Sequence, residues 1–484
     1  MPAIMIQATG SDAGKSLVVA GLCRLFSNQG LKVRPFKPQN MSNNAAVTAD
    51  GGEIGRAQSL QAMACNVEPT VDMNPVLLKP ETERGAQVIV RGKRLASVQA
   101  RDYSRLKPRL MAYVLDSYRR LSADADMVII EGAGSPAEIN LRAGDVANMG
   151  FAEAADIPVL LLGDIDRGGV IASMVGTHLL LPEAERRRIK GFIINKFRGD
   201  VELFQSGADT ISQHTGWPLL GIVPWFDKAA LLPQEDALGL PQSSTSPNRK
   251  NKIAVLQLPR IANFDDLDPL RAEPDVELVM VTCGHVIPAD SDLVIIPGSK
   301  STMADLHFVI QQGWDVDIKA HIRRGGRVLG ICGGYQMLGN TIDDPHGVEG
   351  SKASMDGLGL LDVTTILGAE KSLHKITGTH IQSGQPLTGY EIHLGQTAGK
   401  DCRQPFLEIN GTPEGAISAC GQVFGTYIHG LFAADDFRRA FLAISTDNAV
   451  CYAKNINNIL NELATHMSQH IDCEKILEIA RREC

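Results

Sequence analysis

Residues 327–338 read Arg-Val-Leu-Gly-Ile-Cys-Gly-Gly-Tyr-Gln-Met-Leu. An apolar run ends in Cys332, with Gly330 two residues before it and Gly334 two after it. That spacing is the pattern of a nucleophile elbow, a sharp strand-to-helix turn that presents one side chain and leaves no room for others beside it. A helix opening at the next residue favours the thiolate over the thiol. The N–H of Gly333, with a second from Gly298 in Pro297-Gly298-Ser299, is placed to hold an oxyanion. A thiolate nucleophile needs an acid/base partner, and His429 in Tyr427-Ile428-His429-Gly430-Leu431 follows a short strand that would present it at an edge. His393 in Tyr390-Glu391-Ile392-His393 is its rival, and an isolated histidine is more often structural than catalytic.

A second group of residues points to phosphate. The strand pattern Ile4–Ala8 runs into Thr9-Gly10-Ser11-Asp12-Ala13-Gly14-Lys15-Ser16, and a helical pattern follows. Glycines let backbone N–H groups approach phosphate oxygens, and the helix N-terminus adds positive potential. Lys15 would bridge the outer phosphates and Ser16 would hold Mg²⁺. The match departs from the usual spacing, which puts the first glycine where Thr9 stands, so that Gly10 comes one residue late. Glu131 ends the apolar run Met127–Ile130 and is followed by glycines, which suits a metal-side carboxylate at a sheet edge. Asn195 and Lys196 end a further strand, where Asn195 is a candidate contact for an adenine base or part of a plain turn. Lys37-Pro38-Gln39-Asn40-Met41-Ser42-Asn43-Asn44 and Asp164-Ile165-Asp166-Arg167-Gly168-Gly169 are unusually polar for strand ends. Turn chemistry and helix capping would account for them. A polar substrate groove holding Lys37, Gln39, Asn40, Ser42, Asn43, Asp164, Asp166 and Arg167 is the reading preferred here.

These residues need a scaffold that brings strand ends together. Candidate strands at Ile4–Ala8, Leu31–Phe36, Met127–Glu131, Val159–Asp164, Gly191–Asn195 and Leu219–Val223 alternate with helical stretches such as Ser16–Asn28 and Arg105–Leu121. Several strands are apolar throughout, as strands buried on both faces must be. The alternation predicts a mostly parallel α/β sheet. Pro241–Lys252 is polar and turn-forming and reads as a linker. Past it the pattern restarts with Ile253–Leu258, Val276–Thr282, Asp292–Ile296 and Arg327–Ile331, then shorter strands including Gly389–Leu394 and Gln422–Ile428. The predicted organisation is a phosphate-binding domain over 1–240, a linker over 241–252, a thiol domain over 253–447 and a helical tail over 448–484. The tail carries Ile456, Ile459, Leu460, Leu463 and Met467 at helical spacing, a packing face.

Composition narrows the classes. The chain has 484 residues, which allows two to four domains, with 44% hydrophobic and 21% charged residues, as in globular proteins. Its net charge of −8 argues against broad nucleic-acid binding. No apolar run reaches the length of a membrane span, and the start reads straight into a strand rather than a leader. Nine dispersed cysteines without a Cys-x-x-Cys pair fit reduced thiols and a cytoplasmic setting.

A P-loop half followed by a Cys-elbow half resembles the glutamine-dependent synthetases, and the motifs resemble the cobyric acid synthase family of cobalamin biosynthesis. They are KPQNMSNN at Lys37–Asn44, EIGRAQ at Glu53–Gln58, EGAGSP at Glu131–Pro136, GDIDRGG at Gly163–Gly169 and NKFRGD at Asn195–Asp200. PGSKST at Pro297–Thr302, GICGGYQMLG at Gly330–Gly339, GYEIHLG at Gly389–Gly395 and GTYIHGLF at Gly425–Phe432 continue the series. The resemblance implies a dethiobiotin synthetase-like P-loop domain and a class I glutamine amidotransferase-like domain. ATP with Mg²⁺ would bind at Gly10, Gly14, Lys15, Ser16 and Asn195, with Ser16, Glu131 and Glu53 on the metal side. Whether Glu53, Asp164 and Asp166 meet metal, substrate or ammonia stays open. Cys332 and His429 would release ammonia from glutamine through a thioester. The family's corrinoid substrate, adenosylcobyrinic acid a,c-diamide, would be amidated at its b, d, e and g carboxylates through acyl phosphates. No prosthetic group, nucleic acid or membrane is implied, and a homo-oligomer is left open. Class I amidotransferases usually carry an acid two residues after the histidine; here Leu431 stands there, so the residue orienting His429 is unassigned. Cobyrinic acid a,c-diamide synthases share this architecture and are the nearest rival, while a P-loop partitioning ATPase would have no use for the elbow.

Overall fold

The computed structural model describes residues 1–80, 85–235, 251–350, 352–444 and 450–482. The chain forms two compact units. The first comprises 1–42, 48–233 and 456–484; the second comprises 43–47 and 234–455.

The first unit is built on six parallel strands in the order Leu219–Pro224, Ile189–Phe197, Val159–Asp164, Ala3–Ala8, Met127–Glu131, Val33–Phe36. Ala3–Ala8 and Met127–Glu131 are buried at every position, which explains why their sequences do not alternate. The first strand lies mid-sheet, beside Met127–Glu131 in register Ile6↔Glu131 and beside Val159–Asp164. The P-loop and Glu131 therefore emerge side by side at the carboxyl edge, where open parallel sheets bind ligands. The helix Lys15–Asn28 leaves that edge, and its N-cap, Gly14, is left-handed at φ 89° and brings no side chain to cap the first turn.

A second sheet of this unit was not foreseen: Gln39–Met41, Val76–Pro80, Gly85–Val90 and Lys93–Gln99. Its last three strands form an antiparallel meander, and its first pairs parallel with Val76–Pro80. The expected helical tail consists of the helices Tyr452–His470 and Cys473–Arg481, and from Ile456 onward this segment packs into the first unit. Ile456, Ile459, Leu460, Leu463 and Met467 are its buried stripe. Asn457 accepts a hydrogen bond from Arg24 at 2.8 Å, and Ile471 bridges to Gly221. The absent side chain of Gly21 is filled by Met467, whose Cγ would lie 2.7 Å from an added Cβ.

The second unit carries the sheet Val276–Val281, Asn251–Leu256, Leu293–Ile296, Arg327–Ile331, Val423–Thr426, Ala416–Ile417, parallel except for its last strand. Asn251 and Lys252, assigned above to the linker, already belong to its first strand; 236–250 lie outside the described residues. The boundary expected at 447 also lies outside them. A long antiparallel hairpin, Val363–His380 with Pro386–Gly399, organises a further sheet. Its second strand pairs with Ile428–His429 in register Tyr390↔His429, which puts the histidine strand on the hairpin.

Candidate functional site

The elbow forms as its glycines require. Cys332 has φ 52° and ψ −107°, a left-handed backbone that ordinary side chains seldom adopt and that recurs at functional turns. A Cβ on Gly330 would lie 2.6 Å from the Gly334 backbone, and one on Gly334 only 1.9 Å from the Ile296 carbonyl oxygen. Larger residues at either position would push the turn off the sheet. The Cys332 N–H donates to Thr426 O at 2.8 Å, tying the nucleophile to the neighbouring strand. Its thiol is buried and lies 3.7 Å from Ile392 O.

His429 is fully buried and approaches from the strand end beyond Thr426. Its Nδ1 lies 2.7 Å from Asp266 Oδ2, and the Gly430 N–H donates to Asp266 Oδ1 at 2.5 Å. Nε2 is buried and, among the described residues, has no partner at hydrogen-bond distance. Burial works against the imidazolium, but Asp266 and Cys332 outweigh it and push the His429 pKa up to about 10. Tyr390 stacks on the ring at 5.3 Å, and its hydroxyl donates to Asp265 at 3.1 Å. Gly298 abuts the ring as well: an added Cβ would lie 2.9 Å from His429 Cε1. One on Gly333 would lie 2.9 Å from the Ser299 N–H, so the 297–299 loop and the elbow are in contact. The rival histidine, His393, is stacked on Tyr427 at 3.7 Å with Nδ1 on Gly395 O. Burial pushes its pKa down to about 4, which keeps it neutral.

In the first unit, the Ser16 hydroxyl donates to Glu131 Oε1 at 2.7 Å, the juxtaposition expected of a P-loop serine and a metal-side acid. Lys37 Nζ lies on the same oxygen at 2.8 Å, and Gln61 Nε2 donates to Oε2 at 2.6 Å. Burial would raise the Glu131 pKa; Lys37, Ser16 and Gln61 together hold it below the ordinary carboxylate value. Ser16 and Glu131 supply hard oxygens, the donor type Mg²⁺ takes alongside phosphate and water. Lys15 Nζ donates to Gly10 O and Gly134 O, each at 3.1 Å, bridging the P-loop to the glycine turn after Glu131. The displaced glycine is explained by the backbone: the left-handed positions of this loop are Asp12 and Gly14, and Thr9 takes an ordinary conformation.

The remaining expected residues divide. Asn195 is buried, and its amide donates to Ala13 O at 2.8 Å, so it braces the P-loop; a Cβ on Gly14 would lie 2.3 Å from that amide nitrogen. Lys196 bonds Asp12 O and Asp164, Arg167 pairs with Asp12 at 2.9 Å, and Arg198 pairs with Asp166 at 2.8 Å. The Gly163–Gly169 and Asn195–Asp200 motifs thus clasp the P-loop from one side. Glu53 forms a buried ion pair with Lys79 at 2.6 Å. The Lys37–Asn44 segment is turned inward more than an open groove would require. Lys37, Asn40, Ser42 and Asn44 are buried, Asn40 donates to Gln58 at 3.0 Å, and Gln39 accepts from Tyr103. Gln39 and Asn43 are half-buried, and Asn43 falls in the second unit.

Sequence reasoning missed Gln61 and Asp266. Gln61 lies one turn past the EIGRAQ motif in helix Arg56–Ala64. Asp266 is 163 positions from His429, beyond the reach of any local spacing rule. The only trace is a pair of acids, Asp265-Asp266, following the strand Asn251–Leu256 of the second unit. Among the described residues there is no cluster of three or more metal-ligating side chains and no helix long and apolar enough to cross a membrane.

Residues 4–238 match the CobQ/CobB/MinD/ParA nucleotide binding domain, and 252–437 match the CobB/CobQ-like glutamine amidotransferase domain. The chain is 57% identical to the cobyric acid synthase of Cereibacter sphaeroides over 99% of its own length and 100% of that protein's. It is 57% identical to that of a Jannaschia species, covering 99% of each chain, and 58% identical to that of Rhodobacter capsulatus, covering 99% and 100%. With a nucleotide-binding α/β half, an amidotransferase α/β half and relatives similar from end to end, the chain belongs to the cobyric acid synthase family of glutamine-hydrolysing ligases.

Proposed function

We propose that the enzyme converts the b, d, e and g carboxylates of adenosylcobyrinic acid a,c-diamide into amides, giving adenosylcobyric acid, with ATP as driving force and glutamine as nitrogen donor. The observation that carries this reading is the coexistence in one chain of a left-handed Cys332 beside the open Nε2 of His429 and a P-loop serine bonded to a buried acid.

In the second unit, Cys332 attacks the side-chain amide carbon of glutamine. The N–H groups of Gly333 and Gly298 are assigned to the oxyanion. His429 protonates the departing nitrogen, and the C–N bond breaks to leave ammonia and a γ-glutamyl thioester. His429 then takes a proton from water, which attacks the thioester and releases glutamate and the thiol. In the first unit, an oxygen of a corrin carboxylate attacks the γ-phosphorus of ATP and ADP departs. Ammonia displaces phosphate from the acyl phosphate and leaves an amide. Lys15 neutralises phosphoryl charge, Lys37 is a cation for the incoming carboxylate, and Asn195 keeps the phosphate loop in shape. Ser16 and Glu131 are the residues that would hold Mg²⁺, which would supply neutralisation of phosphoryl charge. A cytoplasmic location accompanies this reading as a proposal.

The test is mass spectrometry of the corrinoid product formed with ATP and glutamine. Four carboxyl-to-amide conversions are expected; a product with any other final number would overturn the specific assignment.

A further inference from the structure

The His429 position of the elbow site lacks the acid that sequence spacing would supply, because Leu431 is an apolar, fully buried side chain. We infer that Asp266, from the turn Phe264–Leu267, is the positioning residue of this histidine and completes a Cys332–His429–Asp266 relay. The inference rests on the glutaminase reading of the second unit given above.

The geometry is that of a fixed carboxylate. Asp266 is 2% exposed, and its two oxygens are committed to different donors. Oδ2 takes His429 Nδ1 at 2.7 Å, and Oδ1 takes the N–H of Gly430 at 2.5 Å. The second bond ties the acid to the backbone next to the histidine, so carboxylate and ring cannot shift independently. With Nδ1 holding its proton toward Asp266, Nε2 is the atom left to exchange a proton with sulfur, leaving nitrogen or water, and among the described residues it is buried without a partner at hydrogen-bond distance. Asp265 takes the Tyr390 hydroxyl, and the Tyr390 ring covers one face of the imidazole. Two successive acids of one turn therefore fix the ring by its edge and by its face. The other groups bearing on the His429 charge are Cys332, which favours it, and His393, which stays neutral. Asp266 thus faces a histidine whose opposite nitrogen is open and lies beside the strained Cys332.

The test compares wild type, Asp266→Asn, Asp266→Glu and Cys332→Ser in the full chain. Glutamine hydrolysis, amidation from ammonium salts and the pH dependence of Cys332 alkylation by iodoacetamide, resolved by peptide mass spectrometry, are the readouts. Asp266→Asn is expected to lower kcat for glutamine hydrolysis on the order of 10²–10⁴-fold with little change in KM. It should leave ammonium-driven amidation near wild type and move the alkaline limb of the hydrolysis profile to lower pH. The alkylation profile should shift, since the imidazolium beside the thiol loses its support. Asp266→Glu should recover part of the rate. Wild-type kcat and an unmoved alkaline limb in Asp266→Asn, with Cys332→Ser inactive, would overturn this inference and leave the glutaminase reading standing. An active Cys332→Ser would overturn that reading itself. Should Asp266→Asn fail to fold, Asp266→Ser decides in its place: a wild-type rate and an unmoved alkylation profile there would also overturn the inference.

Discussion

The two units bury an acid next to their sites by opposite means. Glu131 carries a lysine, a hydroxyl and an amide on its oxygens and is held ionised below its ordinary pKa. Glu414 takes the Tyr427 N–H and the Thr426 hydroxyl, each at 2.7 Å, and has no cation among these partners. Burial, with Glu391 nearby, pushes its pKa up to about 7. The first site is a set of mutually neutralised charges gathered from separate chain segments, suited to exchanging partners when a polyanion arrives. The second joins backbone contacts around one strained residue to the buried side-chain pair His429–Asp266. Affinity for charge is stored in side chains in one unit, and chemical geometry in the main chain and one buried side-chain pair in the other.

On the proposed roles, four experiments bear on this contrast. The largest effect is expected for Cys332→Ser, a loss of glutamine hydrolysis of about 10⁴-fold or more, with amidation from ammonium salts retained; equal glutamate release by both proteins would end the amidotransferase assignment. Lys15→Ala should reduce ATP-dependent amidation by ~10³-fold, about 4 kcal/mol of transition-state stabilisation, while glutamine hydrolysis persists in part. Glu131→Gln takes the Glu131 carboxylate charge away from the buried Lys37 and should lower the stability of the first unit by about 3 kcal/mol, read by denaturant titration of the first unit's tyrosines and Trp217. An unchanged midpoint would mean that the buried pair is not what holds this edge together.

The smallest effect separates the units by sign. Glu131 has a folded pKa below its unfolded value, so its contribution is present above about 4.5 and is lost as pH falls through the lower folded value. Glu414 has a folded pKa raised to about 7, so its contribution is present below about 4.5 and is lost as pH rises through 7. Glu414→Gln should therefore flatten the decline of second-unit stability between about pH 5 and 8, by a difference on the order of 1–3 kcal/mol. A slope equal to wild type in a calorimetric series would remove Glu414 as its source.

What could be read in advance follows from what is local. Met127–Glu131, Val159–Asp164 and Arg327–Ile331 declare themselves because a strand buried on both faces must be apolar throughout. The elbow declares itself because Gly330, Cys332 and Gly334 stand together in one short motif, although Gly334 is imposed by the distant Ile296 carbonyl and only Gly330 by its near neighbours Gly334 and Leu338. The sheet at Gln39–Gln99 was hidden because Gln39–Met41 has only three residues, Lys93–Gln99 is mostly exposed, and the strands between them carry polar residues such as Lys79 and Gln87. On sequence alone Asn195 is a base contact or part of a plain turn, because a strand-end amide gives no hint that it donates to Ala13, far back in the chain. Asp266 and Gln61 were hidden for the same reason: their partners are set by topology, and a carboxylate in a turn looks like any solvated acid until the strand that carries His429 is laid beside it.

The first unit draws its last helices from residues beyond 455, after the whole of 234–455 has gone into the other unit. During synthesis at roughly 5–20 residues per second, the six-stranded sheet and the helix that carries the P-loop would wait on the order of 10–45 s for the segment that covers them. Throughout that interval Gly21 and Arg24 on the Lys15–Asn28 helix lack Met467 and Asn457. The nucleotide-binding half is thus begun first and finished last, and the thiol half has time to fold while the other is still open to chaperones.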